Sequence, residues 1–187
     1  MSNMQSWKQN VGSIINYAER IFPEVEIVSR ALSGEIVKSN YGQVAKRAKK
    51  LGSSLEAYGI KHGQNVGSLA LNTYRNMEMY YGISGMGAVM HTINFRLHPE
   101  QVVYIINHAE NRIIFLETVF APLLEAIQAN CPTVEKYVLL CSKEEMPETT
   151  LKDAISYEEF IDDGDESYEW PELEEDAPCG LLSLIHI

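Results

Sequence analysis

The sequence predicts an α/β fold built on a mostly parallel sheet flanked by helices. Three observations predict it. Short apolar runs alternate with amphipathic segments of about three turns, the pattern of strands buried on both faces between helices. Glycines 59, 63 and 87 fall near the junctions, where tight turns need them. A composition of 45% hydrophobic and 22% charged residues supplies a core for a chain of 187 residues. That length fits one ordinary domain or a large piece of a bigger enzyme.

The elements are expected in this order. A helix spans about Trp7 to Arg20. Pro23, Ser33 and Gly34 then separate β-prone pieces at Val25–Val28 and Glu35–Val37, which read as a small hairpin or an edge. From Tyr41 to Tyr58, Val44, Ala48, Leu51, Leu55 and Tyr58 recur at helical spacing with Lys46, Lys49 and Lys50 elsewhere, and Gly59 is the stop. Strands at Val66–Leu71, Ala88–His91, Arg112–Leu116 and Val134–Leu140 alternate with helices at Thr73–Met86, His98–His108 and Phe120–Ala129. Beyond Cys141 the periodicity fades into polar and acidic residues with one short helix around Ser156 to Ile161, which reads as linker or surface excursion.

Charge and cysteine content narrow the function classes. Residues 1–143 carry 14 Lys and Arg against 11 Asp and Glu, and residues 144–187 carry 1 against 15, so a near-neutral body ends in an acidic tail. No basic stripe with interleaved aromatics is present, which disfavours a nucleic-acid partner. No apolar run approaches the roughly 20 residues of a membrane span, and Lys8, Glu19 and Arg20 interrupt the N-terminus, so no signal peptide is read either. Cys131, Cys141 and Cys179 are odd in number and lack C-x-x-C spacing, which argues against disulfides or zinc and fits a reducing cytoplasm. Asp162-Asp163-Gly164-Asp165 lacks the alternating ligands and closing Glu of a calcium loop and reads as a solvated surface segment.

Two stretches look chemical. Gly82-Ile83-Ser84-Gly85-Met86-Gly87 fits neither a phosphate loop nor a nucleophile elbow, because the glycines end a helix rather than open one and Met86 stands where the elbow needs glycine. Close helix–sheet packing is the preferred reading. Of the histidines at 62, 91, 98, 108 and 186, none pair at the i, i+4 spacing of a helical metal site. His98 and Glu100 fit a helix start. His91 follows Ala88-Val89-Met90, near a strand end where ligands bind in open α/β sheets. With no acid or nucleophile beside it in sequence, a structural histidine is preferred.

The stretch Tyr80 to Leu97 carries Gly87-Ala88-Val89, then Asn94-Phe95-Arg96-Leu97, then the helix Glu100 to Glu110. It resembles the acyl-CoA synthetases, the fatty-acid–CoA ligases of the AMP-binding, adenylate-forming superfamily, which commonly carry G-A-V-x-x-x-x-N-x-R-L before such a helix. Tyr41 to Gly63, Gln64-Asn65-Val66 and Leu71-Asn72 match the same order, and agreement runs from about Ala31 to Gly180. The resemblance implies a parent enzyme in which ATP and a carboxylic acid give an acyl-adenylate and pyrophosphate, after which CoA takes the acyl group. It further implies magnesium with the ATP, a medium- or long-chain fatty acid as substrate, a cytoplasmic location and a parent able to form a homodimer.

In that family a segment like Asp176-Ala177-Pro178-Cys179-Gly180-Leu181 runs into a T-S-G-T-T-G-x-P-K-G phosphate loop. Here it continues Leu182-Ser183-Leu184-Ile185-His186-Ile187. The expectation is therefore an inactive N-terminal fragment with no catalytic, cofactor-binding or metal-binding residues of its own and no cofactor. Its parts are an N-terminal helix and β elements (1–40), the α/β core of the AMP-binding domain (41–141), an acidic linker (142–181) and a non-native tail (182–187) resembling a translated sequencing adapter. An incomplete sheet should leave an edge and apolar faces open and favour association. The alternative is a non-catalytic α/β module that binds a small molecule or regulates, marked by sharp two-state unfolding as a monomer.

Overall fold

The computed structural model describes residues 7–182. Helix α1 (Val11–Ile21) leads into an antiparallel hairpin of β1 (Glu26–Arg30) and β2 (Ile36–Asn40) and then α2 (Tyr41–Tyr58). The alternation follows: β3 (Asn65–Leu69), α3 (Tyr74–Gly85), β4 (Val89–Thr92), α4 (Pro99–His108), β5 (Ile113–Leu116), α5 (Ala121–Ile127) and β6 (Lys136–Leu139). Three further elements, β7 (Ala154–Ser156), α6 (Tyr157–Asp162) and β8 (Gly180–Leu181), complete the described chain. The main sheet has the order β7-β6-β5-β3-β4-β8, and every neighbouring pair in it is parallel. The α/β reading with a mostly parallel sheet holds.

Local chemistry sets the helix boundaries. α1 starts at Val11, later than the apolar pattern suggests, because Asn10 and Ser13 form a reciprocal capping box there. α2 opens where the Asn40 side chain accepts the Gln43 amide at 2.8 Å and closes at Gly59, whose φ of 95° lies in the left-handed region that only glycine enters cheaply. α4 begins with His98 as cap and Pro99 in its first turn, as expected.

Two cores form because the strands are apolar on both faces. On one side α2, α3 and α6 press Leu51, Leu55, Ile83 and Tyr157 onto Val66, Met90, Phe115 and Val138. On the other, α4 and α5 press Val102, Ile106 and Leu124 onto Leu69, Ile114 and Leu139. Each fully buried side chain of this kind contributes about 1.5–3 kcal/mol.

Two expectations need correction. The segment 142–181, read as linker, supplies both edge strands of the sheet, β7 and β8, and buries Tyr157 and Ile161 of α6. Its Trp170 fills a notch left by glycines, with ring atoms 2.9 Å from where side chains at Gly12, Gly52 and Gly85 would begin. The glycines around Ser84 pack against helix and loop rather than sheet: a β-carbon on Gly82 would lie 2.8 Å from Leu51 of α2. Asp162, Asp163 and Asp165 are solvent-exposed. The expected tail falls at 183–187, outside the described residues, apart from Leu182.

Candidate functional site

In a parallel sheet all carboxyl ends point the same way, and a crevice opens where successive crossovers run to opposite sides. Here β3 leads through α3 to β4 on one side, and the chain then returns to β5 on the other side of β3. α3 and α5 lie on opposite faces, so the loops following β3 and β5 diverge between Ala70–Thr73 and Glu117–Phe120.

Beside this point the Asn94-Phe95-Arg96-Leu97 motif acquires a structural meaning. Asn94 accepts the Arg96 amide at 3.0 Å and fixes the turn after β4, while Leu97 packs into the α4 and α5 core. That arrangement leaves Phe95 and Arg96 exposed. Phe95 stacks on Phe120, from the turn after β5, with ring centroids 4.9 Å apart and planes 25° apart, and the Arg96 guanidinium lies 5.6 Å from the Phe95 ring centre. Exposed aromatic rings flanked by an arginine can receive a planar, anionic molecule such as a nucleotide, by stacking and by charge.

On the other flank a half-enclosed cavity of about 190 Å³ lies beneath the hairpin tip at Ala31–Ser33 and is lined by Thr73, Arg75, Glu117 and Leu140. Glu117 is 5% exposed, and its Oε1 has no hydrogen-bond partner. Burial pushes its carboxyl pKa up, opposed by the Leu71 amide, the Arg75 charge and the Thr73 side chain. Arg75 is held in place by Glu158 at 3.0 Å and by the Leu140 carbonyl at 3.1 Å. Arg47 bridges Glu158 to the buried Glu78, which also accepts the Tyr157 hydroxyl at 3.0 Å. Burial alone would raise Glu158, but the hydrogen bonds and charges of Arg47 and Arg75 hold it below the usual carboxylate range. These ions brace the loop after β6 against α2 and α3.

The histidines stay outside the crevice. His91 pairs with Gly67 across β3 and β4 and points into the α4 layer, where its Nδ1 lies 2.7 Å from Asn111 Oδ1. Burial lowers its pKa, opposed by the Asn111 contact, so the ring is neutral near pH 7. His98 stands exposed at the start of α4, 3.9 Å from Glu100. Sequence reasoning singled out neither Glu117 nor Phe120, which reach the site from a loop 22 or more residues beyond Phe95. A carboxylate directly after an all-apolar strand was the one available signal. Among the described residues no three His, Cys, Asp or Glu side chains gather as metal ligands.

Comparison with known proteins gives the following. A family model described as "AMP-binding enzyme" matches residues 20–182. A 3-methylmercaptopropionyl-CoA ligase of Ruegeria pomeroyi is 41% identical over 171 residues, covering 91% of this chain and 32% of the relative. A medium-chain-fatty-acid–CoA ligase of Ectopseudomonas oleovorans is 36% identical over 171 residues, covering 91% of this chain and 31% of the relative. Among solved structures, a long-chain-fatty-acid-CoA ligase from Archaeoglobus fulgidus superposes with a TM-score of 0.79 over 95% of this chain and 34% of its own, at 18% identity. The chain thus spans about a third of the length of the relatives it matches.

Proposed function

This chain belongs to the AMP-binding enzyme family, and from that premise we propose that it forms part of an ATP-dependent acyl-CoA ligase acting on medium- or long-chain carboxylic acids. The observation that carries the reading is the 41% identity to a CoA ligase across 91% of the chain. In the proposed reaction the carboxylate displaces pyrophosphate from ATP to give an acyl-adenylate, and the CoA sulfur then attacks the acyl carbonyl and releases AMP. Adenylation turns a poor leaving group into a good one.

Both nucleotide substrates carry adenine, and Phe95, Phe120 and Arg96 form the surface proposed to receive one such ring. Asn94 positions the turn that presents it. Magnesium accompanies the ATP of the whole enzyme; the described residues offer it no carboxylate cluster, so none is assigned to hold it. The chain's own part is that of scaffold, and by itself it is inactive: no T-S-G-T-T-G-x-P-K-G sequence occurs within the 187 residues. Three unpaired cysteines support a cytoplasmic location, and the whole enzyme is proposed to act as a homodimer.

A thioester assay of the 187-residue chain with ATP, magnesium, CoA and straight-chain acids tests the scaffold reading. No acyl-CoA above the no-protein control is expected, and steady turnover would overturn it.

A further inference from the structure

Of the 15 large apolar side chains that stand exposed among the described residues, 9 lie between Trp7 and Ile36. They belong to one connected surface. Ile14 of α1, Val28 of β1 and Tyr80 of α3 border a single groove of about 510 Å³, and Tyr17 contacts Phe22 edge-on at 6.0 Å. The hairpin continues it outward. Its solvent face alternates Glu26, Val28 and Arg30 on β1 with Ile36 and Lys38 on β2, so Val28 and Ile36, at 59% and 55% exposure, sit diagonally at the centre with charges around them. An apolar centre inside a charged rim is the anatomy of a protein interface.

Two observations favour a second copy of this chain as the occupant. The first is charge. Residues 7–40 carry 4 Lys and Arg and 4 Asp and Glu, a net of zero in a chain of net charge −11. Two copies meeting elsewhere bring like charges together; meeting here, each offers the other both signs. The second is area. Large side chains about half exposed from Ile14 to Ile36 present roughly 600 Å², the upper end of the largest patch a monomer usually shows and near the roughly 800 Å² per partner of a standard interface once the rim is added.

We infer that the solvent face of the β1–β2 hairpin, with the adjoining groove beside α1, is the interface through which two copies of this chain associate. The inference deepens the homodimer reading and rests on it. A self-complementary surface of this kind closes with two-fold symmetry and produces a discrete dimer rather than open-ended assembly.

Sedimentation analysis of the chain, the Val28→Glu/Ile36→Glu variant and a Tyr104→Glu control tests it. Both substituted hairpin side chains are more than half exposed, and circular dichroism checks that the variants fold. Tyr104 is 65% exposed on α4, away from the hairpin. The expected result is a species of twice 21.1 kDa whose dissociation constant rises at least about a hundredfold in the double variant and stays unchanged in the control. A monomer at all concentrations overturns the homodimer and the interface together. A dimer that survives the double variant overturns the interface alone, and polydisperse aggregation of the unaltered chain overturns the two-fold arrangement.

Discussion

Arg47 Nε donates to Glu78 Oε1 at 2.7 Å, and Glu78 has no exposed surface at all. The pair joins α2 to α3, and through Glu158 and Arg75 it reaches the loop after β6. A carboxylate in such a place is tolerated only with its partners, because burial pushes its pKa up while Arg47 and Tyr157 favour the charged form.

Removing one partner is therefore costly and removing both is less so. Arg47→Met is expected to destabilise the fold by about 3–5 kcal/mol in urea unfolding, and the double variant Arg47→Met/Glu78→Leu to recover part of that loss. Additive losses would show that the two side chains do not act as a pair.

Trp170 anchors the acidic segment. Its ring sits against Gly12, Gly52 and Gly85, and its indole N–H donates to Asn16 at 3.1 Å. Trp170→Ala is expected to cost about 3 kcal/mol and to increase proteolytic cleavage between Gly164 and Cys179. Unchanged stability and cleavage would mean that the segment is held without it.

That contact also marks where sequence reading ends. The run from α2 to β6 was legible because each strand is apolar throughout and each helix repeats at its own period, with Asn40, Gly59 and His98-Pro99 punctuating the ends. β7 and β8 have three and two residues, too short to show any period, and Trp170 stands alone among acids. Nor does local sequence reveal that Phe120 stacks on Phe95, or that Glu78 finds Arg47 31 residues away. Such pairs are created by the crossover that places β5 beside β3.

His91 gives a pH signature. Its folded pKa lies below the ordinary value of about 6.5, so the unfolded chain takes up the proton first as pH falls. Its neutral state costs nothing above about pH 6.5, and stability is lost progressively below it. Glu78 and Glu117, raised by burial, act in the opposite direction, so the comparison must be with a variant. Between pH 7 and 5 the melting temperature is expected to fall more for the unaltered chain than for His91→Gln. Parallel profiles would contradict a neutral buried His91.

Phe95 and Arg96 are exposed, so their replacement should leave folding intact. In an enzyme containing this segment, Phe95→Ala is expected to weaken one nucleotide substrate by about 1–3 kcal/mol, read as a higher KM for ATP or CoA, with little change in the KM of the acid. A change confined to the acid would place the ring elsewhere in the reaction.

The most direct measurement replaces the matching third of a medium-chain-fatty-acid–CoA ligase with this chain and follows ATP- and CoA-dependent thioester formation from octanoate. A folded chimera that makes octanoyl-CoA, and loses that activity when its own phosphate loop is altered, is the predicted result. A folded chimera with no activity toward any straight-chain acid would contradict the role of this chain as the scaffold of an acyl-CoA ligase.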